Sequence, residues 1–143
     1  MTGILTFDRD RPRRTRFTPT FVLRLDATVS GVTGLAMLAL AAPLGDLLDL
    51  PVGLLRGAGA VLLVLVAGIF WLAGRSTNRR AALNVVAGIN VVWAIDSVVL
   101  LLTGWVEPNA LGIAFVLFQA AVVLLLAELQ ILTARRIGMS PAA

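Results

Sequence analysis

Four long stretches of the sequence carry almost no charge. Residues 27–45, 57–74 and 108–127 are uncharged, and residues 81–106 contain a single charged residue, Asp96. A helix needs roughly 20 residues to cross about 30 Å of hydrocarbon. The pattern therefore predicts four transmembrane helices, with spans near residues 24–44, 52–74, 81–104 and 108–134.

Short turns separate these spans. Pro43 is expected to end the first span, and Asp49 with Pro51 to begin the second. Residues 75–78 form a polar turn before the third span, and Pro108 begins the fourth. Loops of this length usually join helices that pack antiparallel to their neighbours.

The predicted fold class is therefore all-α: an integral membrane four-helix bundle with antiparallel neighbours and short loops, over residues 21–134. An Arg-rich segment, residues 1–20, precedes the bundle, and a short tail, residues 135–143, follows it.

The arginines predict how the bundle is oriented. All twelve basic residues are Arg; eleven flank the spans on one side, and only Arg56 lies on the other. The positive-inside rule then places both termini in the cytoplasm. Nucleic-acid binding is not expected, because the arginines are placed as topology signals and no aromatic platform accompanies them. The eleven are Arg9, Arg11, Arg13, Arg14, Arg16, Arg24, Arg75, Arg79, Arg80, Arg135 and Arg136.

The amino-acid composition limits the kinds of fold and of catalytic or metal site that the chain can form. Hydrophobic residues make up 59% of the chain and charged residues 14%, whereas a soluble domain is about half apolar and a quarter charged. The sequence contains no Cys, His or Tyr, which removes thiolate chemistry, the commonest metal ligands and the commonest general base. We therefore expect no cofactor, no metal site and no enzymatic activity.

Charged residues inside a span are candidate sites because they are costly in hydrocarbon. Arg56 and Asp96 fall at similar depth in adjacent spans, which predicts an ion pair between them. Alternatively, Asp46 and Asp49 hold Arg56, and Asp96 is then free to bind a proton or a cation.

Two amides lie near the middle of the predicted membrane. Asn90 and Gln119 are expected to hydrogen-bond across helices, and Ser97 lies one heptad beyond Asn90 on the same face. The alternative function of this polar stripe is substrate recognition.

A third polar group is expected near the cytoplasmic face. Five residues there fall at similar depth and predict either a self-neutralising polar ring or a docking surface for a partner: Arg24, Asp26, Asn84, Glu128 and Gln130. Pairs of small residues predict close helix packing, in span one at Ser30 and Gly34 and in span two at Gly53 and Gly57.

Two short segments carry a resemblance. Residues 23–27, Leu-Arg-Leu-Asp-Ala, and residues 127–130, Ala-Glu-Leu-Gln, resemble segments of small four-span actinobacterial membrane proteins of unassigned function. Similar proteins include accessory subunits of mycobacterial Mce lipid-import complexes. The resemblance implies a bacterial inner (plasma) membrane protein, with membrane lipids and a larger membrane complex as its partners.

The expected function is that of a non-catalytic accessory or scaffolding subunit of such a complex. A chain with short loops and few free polar groups offers little surface for binding except its helix faces and its tails. The alternative is a small autonomous transporter or channel that uses Asp96 as its intramembrane carboxylate.

Overall fold

A computed structural model describes residues 17–75 and 77–139 and contains five helices in these ranges. Four of them are long and apolar enough to cross a membrane, which suggests a multi-pass membrane protein. The predictions of an all-α chain and of four potential spans are confirmed. In chain order the helices are α1 (Pro19–Ala39), α2 (Ala41–Leu48), α3 (Val52–Arg75), α4 (Arg79–Leu102) and α5 (Ala110–Met139).

The end of the first span differs from the prediction. The chain bends at Leu40, where φ is −110° and ψ is 21°, and the separate helix α2 follows. α1 ends at Ala39, four residues before Pro43, and Pro43 itself lies in the first turn of α2. Proline is tolerated there because the first N–H groups of a helix need no partner inside the helix. Since Pro43 has no N–H, the Ala39 carbonyl loses its usual helical donor, and the long helix breaks at this point.

Polar side chains begin three of the long helices. The Thr18 hydroxyl accepts a hydrogen bond from the Phe21 amide at 3.2 Å, and Pro19 occupies the first helical position of α1. The Asn78 side chain accepts from the Ala81 amide at 3.1 Å, and the Asn109 side chain from the Gly112 amide at 2.9 Å. These caps satisfy amides that have no acceptor inside their own helix, so local sequence explains where α1, α4 and α5 begin.

The four long helices form two tightly packed pairs. The most extensive contacts join α1 to α3 and α4 to α5, and far fewer contacts join one pair to the other. One apolar cluster connects the two pairs and includes Val22, Ile69, Leu83 and Ala134. The smaller interface between the pairs is where the polar side chains described below are buried.

Contacts also define the two ends of the bundle. At one end, here named the terminal end, the Arg79 guanidinium donates to the Thr20 hydroxyl, and Arg80 lies against Gly138. At the other, named the loop end, the Asn109 amide donates to the Leu48 carbonyl at 3.3 Å. A Cβ added at Gly112 would lie 2.2 Å from the same carbonyl oxygen, so α5 approaches α2 as closely as backbones can.

Candidate functional site

A carboxylate is fully buried between the two helix pairs. Asp26 is 0% exposed and lies on the same side of α1 as Val22, Leu23, Ala27 and Ser30. These positions recur every three to four residues, which is the spacing of the core-facing side of a helix. The helical period therefore carries a charged residue into the interior of the bundle.

Three side chains from three helices donate hydrogen bonds to Asp26. The Ser30 hydroxyl donates to Oδ1 at 3.0 Å from one turn further along α1. The Asn90 amide of α4 donates to Oδ2 at 2.6 Å, and the Gln130 amide of α5 donates to the same oxygen at 2.5 Å. The Asn90 amide also donates to the Gln130 carbonyl oxygen at 3.3 Å. We name these four residues the Asp26 cluster.

The cluster is satisfied by neutral donors. Both carboxylate oxygens accept hydrogen bonds, Oδ1 from Ser30 and Oδ2 from Asn90 and Gln130. Among residues 17–75 and 77–139 no cationic side chain bonds to Asp26, and no buried side-chain nitrogen or oxygen lacks a hydrogen-bond partner. Since a half-satisfied buried network is costlier than an apolar core, the arrangement ties α1 to α4 and α5 in one specific orientation.

The predicted inner polar ring separates into two groups. Asp26 and Gln130 meet inside the bundle, whereas Arg24, Asn84 and Glu128 are exposed on its surface. Residues that share a depth along their helices can still point in different directions around them. Arg24 and Glu128 each precede a cluster residue by two positions, and a two-residue step turns roughly 200° around a helix. They consequently point away from their buried neighbours.

The expected amide pair between Asn90 and Gln119 is not formed. Asn90 is used by the Asp26 cluster, and the Gln119 amide contacts the Met37 sulfur at 3.7 Å instead. Gln119 lies eleven residues before Gln130, so it is on the same face of α5 but roughly 16 Å away along the axis. Ser97 donates to the Trp93 carbonyl oxygen of its own helix at 2.8 Å.

The structure does not bring Arg56 and Asp96 into an ion pair. Both side chains are exposed, Arg56 near the start of α3 and Asp96 on α4, and no salt bridge between them is present in the described part of the chain. These helices belong to different pairs and share only a small contact. Similar depth was therefore insufficient to predict a contact between them. Asp46 and Asp49, the alternative partners of Arg56, are exposed as well.

Close packing of α1 on α3 involves one of the predicted small residues and one that was missed. A Cβ added at Gly34 would lie 3.0 Å from the Gly59 carbonyl oxygen, and one added at Gly59 would lie 2.7 Å from that of Gly34. Gly53 and Gly57 have open space around them. Ser30 contributes its hydroxyl to the cluster as well as its small size.

An interhelix cavity of about 270 Å³ lies beside the Asp26 cluster. Ser30 belongs to both, so one hydroxyl separates the cavity from the buried carboxylate. All four long helices contribute to its wall, which is mostly apolar. The lining includes Ser30, Thr33, Trp93, Phe118, Gln119 and Val122. In the described residues no group of three or more Asp and Glu side chains could hold a metal ion.

Comparison with known proteins adds no family to these observations. The chain matches no protein-family model, no curated protein and no solved structure.

Proposed function

We propose that the protein is a non-catalytic accessory or scaffolding subunit of a larger membrane complex, and that a transmembrane helix of its partner binds to the outer face of α4. Asp96 is the observation that carries this proposal. It is exposed on α4 six residues before the helix ends at Leu102, roughly 9 Å from that end. Val92 and Val99 are 57% and 47% exposed nearby.

An exposed carboxylate among apolar side chains is unfavourable in lipid. Insertion of Asp at the centre of a span costs about 2.5–3.5 kcal/mol, which is an upper bound for Asp96 because it lies nearer the helix end. Charged residues inside a span usually face protein or water. Within the described residues Arg56 forms no salt bridge with Asp96. A partner helix with an apolar surface and one Arg, Lys or amide side chain at matching depth would remove the cost, so this is the chemistry we assign to the partner.

The rest of the bundle suits a supporting role. The Asp26 cluster satisfies its buried polar atoms within the chain, so α4 is held firmly against α1 and α5 while its outer face stays exposed. A face presented by a rigid scaffold loses little conformational freedom on binding. Both properties favour a subunit that braces a neighbour.

The proposal includes an orientation with both termini in the cytoplasm of a bacterial cell. The distribution of the arginines supports it through the positive-inside rule. The contacts at the terminal end agree, because Arg79 and Arg80 meet Thr20 and Gly138 there, while Leu48 and Asn109 meet at the loop end. The same contacts support an antiparallel arrangement of neighbouring long helices.

The resemblance to small actinobacterial proteins makes a lipid-import complex the first assembly in which to search for the partner. The alternative of an autonomous transporter built on Asp96 has less support, since Asp96 does not line the interhelix cavity. A transport pathway would need the carboxylate to line a route through the bundle.

Site-specific photo-cross-linking combined with purification tests this proposal. A photoreactive residue replaces Val99 on the α4 face, or Val64 on α3 as a control, since Val64 is 71% exposed. We expect a membrane protein other than this chain to cross-link from position 99 and not from position 64. Recovery of the complex in mild detergent should fall at least tenfold with Asp96→Asn, which corresponds to about 1.4 kcal/mol.

Asp46→Asn is the matched control, because Asp46 is also an exposed aspartate but lies on α2 outside the α4 face. It should leave recovery of the complex unchanged. Purification only as a lone 15.1 kDa chain, or a cross-link from position 99 only to a second copy of the chain, would overturn the proposal. Equal losses with both variants would also count against the α4 face.

A further inference from the structure

The polar groups that line the interhelix cavity are mainly acceptors of hydrogen bonds. The Ser30 hydroxyl hydrogen is used by Asp26 at 3.0 Å, and the Thr33 hydroxyl hydrogen by the Val29 carbonyl at 2.8 Å. Each hydroxyl oxygen keeps lone pairs after it has donated its hydrogen. Two acceptors on successive turns of α1 therefore contribute to the cavity wall.

Gln119 adds a third acceptor from α5. Its contact with the described residues is the donation from Nε2 to the Met37 sulfur at 3.7 Å, and a thioether is a weak acceptor. Its carbonyl oxygen receives no hydrogen bond from those residues. Gln119 is half-buried and lines the cavity, so its carbonyl oxygen can accept a hydrogen bond from a ligand there.

The electrostatics of the cavity favour a positive charge. Asp26 lies behind Ser30, and no cation bonds to it within the described ranges. The field of this carboxylate is weakly screened in a low-dielectric interior.

We propose that the interhelix cavity binds a small apolar amine, with its ammonium group directed at the oxygens of Ser30, Thr33 and Gln119. A primary ammonium has three donors and no acceptor, which matches three acceptor side chains. The apolar part of the ligand lies against Trp93, Phe118 and Val122. This site is separate from the partner surface proposed on α4 and does not depend on it.

Trp93 provides a direct readout of the cavity. The protein contains three tryptophans, and Trp71→Phe with Trp105→Phe leaves Trp93 as the only one. Trp71 and Trp105 are 61% and 85% exposed, so both replacements should be tolerated. The probe is 4-bromobenzylamine, whose bromine quenches indole fluorescence on contact. Titration of the full-length protein in micelles should give saturable quenching of Trp93.

Two related probes and three variants separate the possible causes of the quenching. We expect 4-bromobenzyl alcohol to bind about tenfold more weakly than the amine, because it lacks the charge, and 4-bromotoluene to show no saturation. Gln119→Met should weaken binding of the amine several-fold, and Val122→Phe should abolish it by filling the cavity. A protein that retains only Trp71 reports how far the probes partition into micelles.

Three outcomes would overturn the proposal. If 4-bromotoluene saturates with the same affinity as the amine, the cavity is an apolar void that takes any small hydrocarbon, such as part of a lipid chain. If Trp93 and Trp71 are quenched alike and linearly, the amine dissolves in the micelle and does not bind to the protein. Quenching that survives Val122→Phe would equally exclude this cavity as the binding site.

Discussion

Helix α1 contacts its neighbours in two contrasting ways. Against α3 it uses the absence of side chains: Gly34 and Gly59 bring two backbones so close that a Cβ at either position would meet a carbonyl oxygen at 2.7–3.0 Å. Against α4 and α5 it uses a buried carboxylate, Asp26, which accepts hydrogen bonds from Asn90 and Gln130. The two contacts lie about two turns apart on one helix.

The contrast shows how packing and specificity are divided in this bundle. Apolar helix surfaces gain little from leaving lipid for one another, so close van der Waals contact and hydrogen bonds hold membrane helices together. The glycine contact tolerates small rotations as long as the surfaces fit. The Asp26 cluster does not tolerate such rotations, since each donor must reach a particular oxygen. The cluster therefore selects how the two helix pairs meet, and the glycines stabilise one of the pairs.

Loss of one donor from the cluster should have the largest effect. Gln130→Met keeps an unbranched side chain of similar length but removes a hydrogen bond to a buried carboxylate. We expect the free energy of unfolding to fall by about 1–3 kcal/mol. Titration with a denaturing detergent, followed by circular dichroism, measures it.

Gln119→Met is the matched control for this change. It is the same substitution on the same helix, but its amide makes only a weak contact with sulfur. Its effect on the free energy of unfolding should stay below about 0.5 kcal/mol. Equal effects at positions 119 and 130 would mean that the Asp26 cluster is no stronger than an ordinary midplane amide.

The glycine contact is tested by a pair of substitutions with opposite expected signs. Gly59→Ala introduces a methyl group 2.7 Å from the Gly34 carbonyl oxygen, and the helices must separate. We expect a destabilisation of about 1–2 kcal/mol, despite the better helix propensity of alanine. The detergent titration again measures the free energy of unfolding.

Gly57→Ala lies two residues away on the same helix, where a Cβ meets nothing within 4 Å. Its effect should be neutral or stabilising by up to about 1 kcal/mol, because alanine is the better helix former. If Gly59→Ala also stabilised the protein, the contact between α1 and α3 would be looser than its geometry implies.

Much of this fold could be predicted from one sequence, because the spans depend on local hydrophobicity. The uncharged runs place α3, α4 and α5 to within a few residues of their observed limits. The proline at position 43 also predicted a break in the first span. The structure shows that a second helix, α2, follows this break and not a loop. These features depend on neighbouring residues along the chain, which a sequence displays directly.

The site was harder to predict because it depends on which helices meet. Similar depth in the membrane predicted contacts between Arg56 and Asp96 and between Asn90 and Gln119. In the structure, Asn90 instead donates hydrogen bonds to Asp26 and Gln130. Two signals could have found the cluster. Asp26 follows Val22 and Leu23 at the spacing of a buried face, and Gln130 lies on the same face as Val123, Leu126 and Ala127. A polar residue on a buried stripe needs a buried partner.

A second polar junction, between α2 and the start of α5, should show a smaller effect than the Asp26 cluster. At the loop end the Asn109 side chain donates to the Leu47 carbonyl at 2.8 Å while it caps α5. Asn109→Ala removes both bonds and should cost about 1 kcal/mol or slightly more, since an N-cap alone contributes about that amount. Asn109→Ser keeps a capping oxygen but is too short to reach Leu47, so it should recover about half of the loss. If serine were as damaging as alanine, the bond to Leu47, and not the cap, would hold this end together. The loop end would then resemble the Asp26 cluster, with a directional hydrogen bond setting how α5 meets α2.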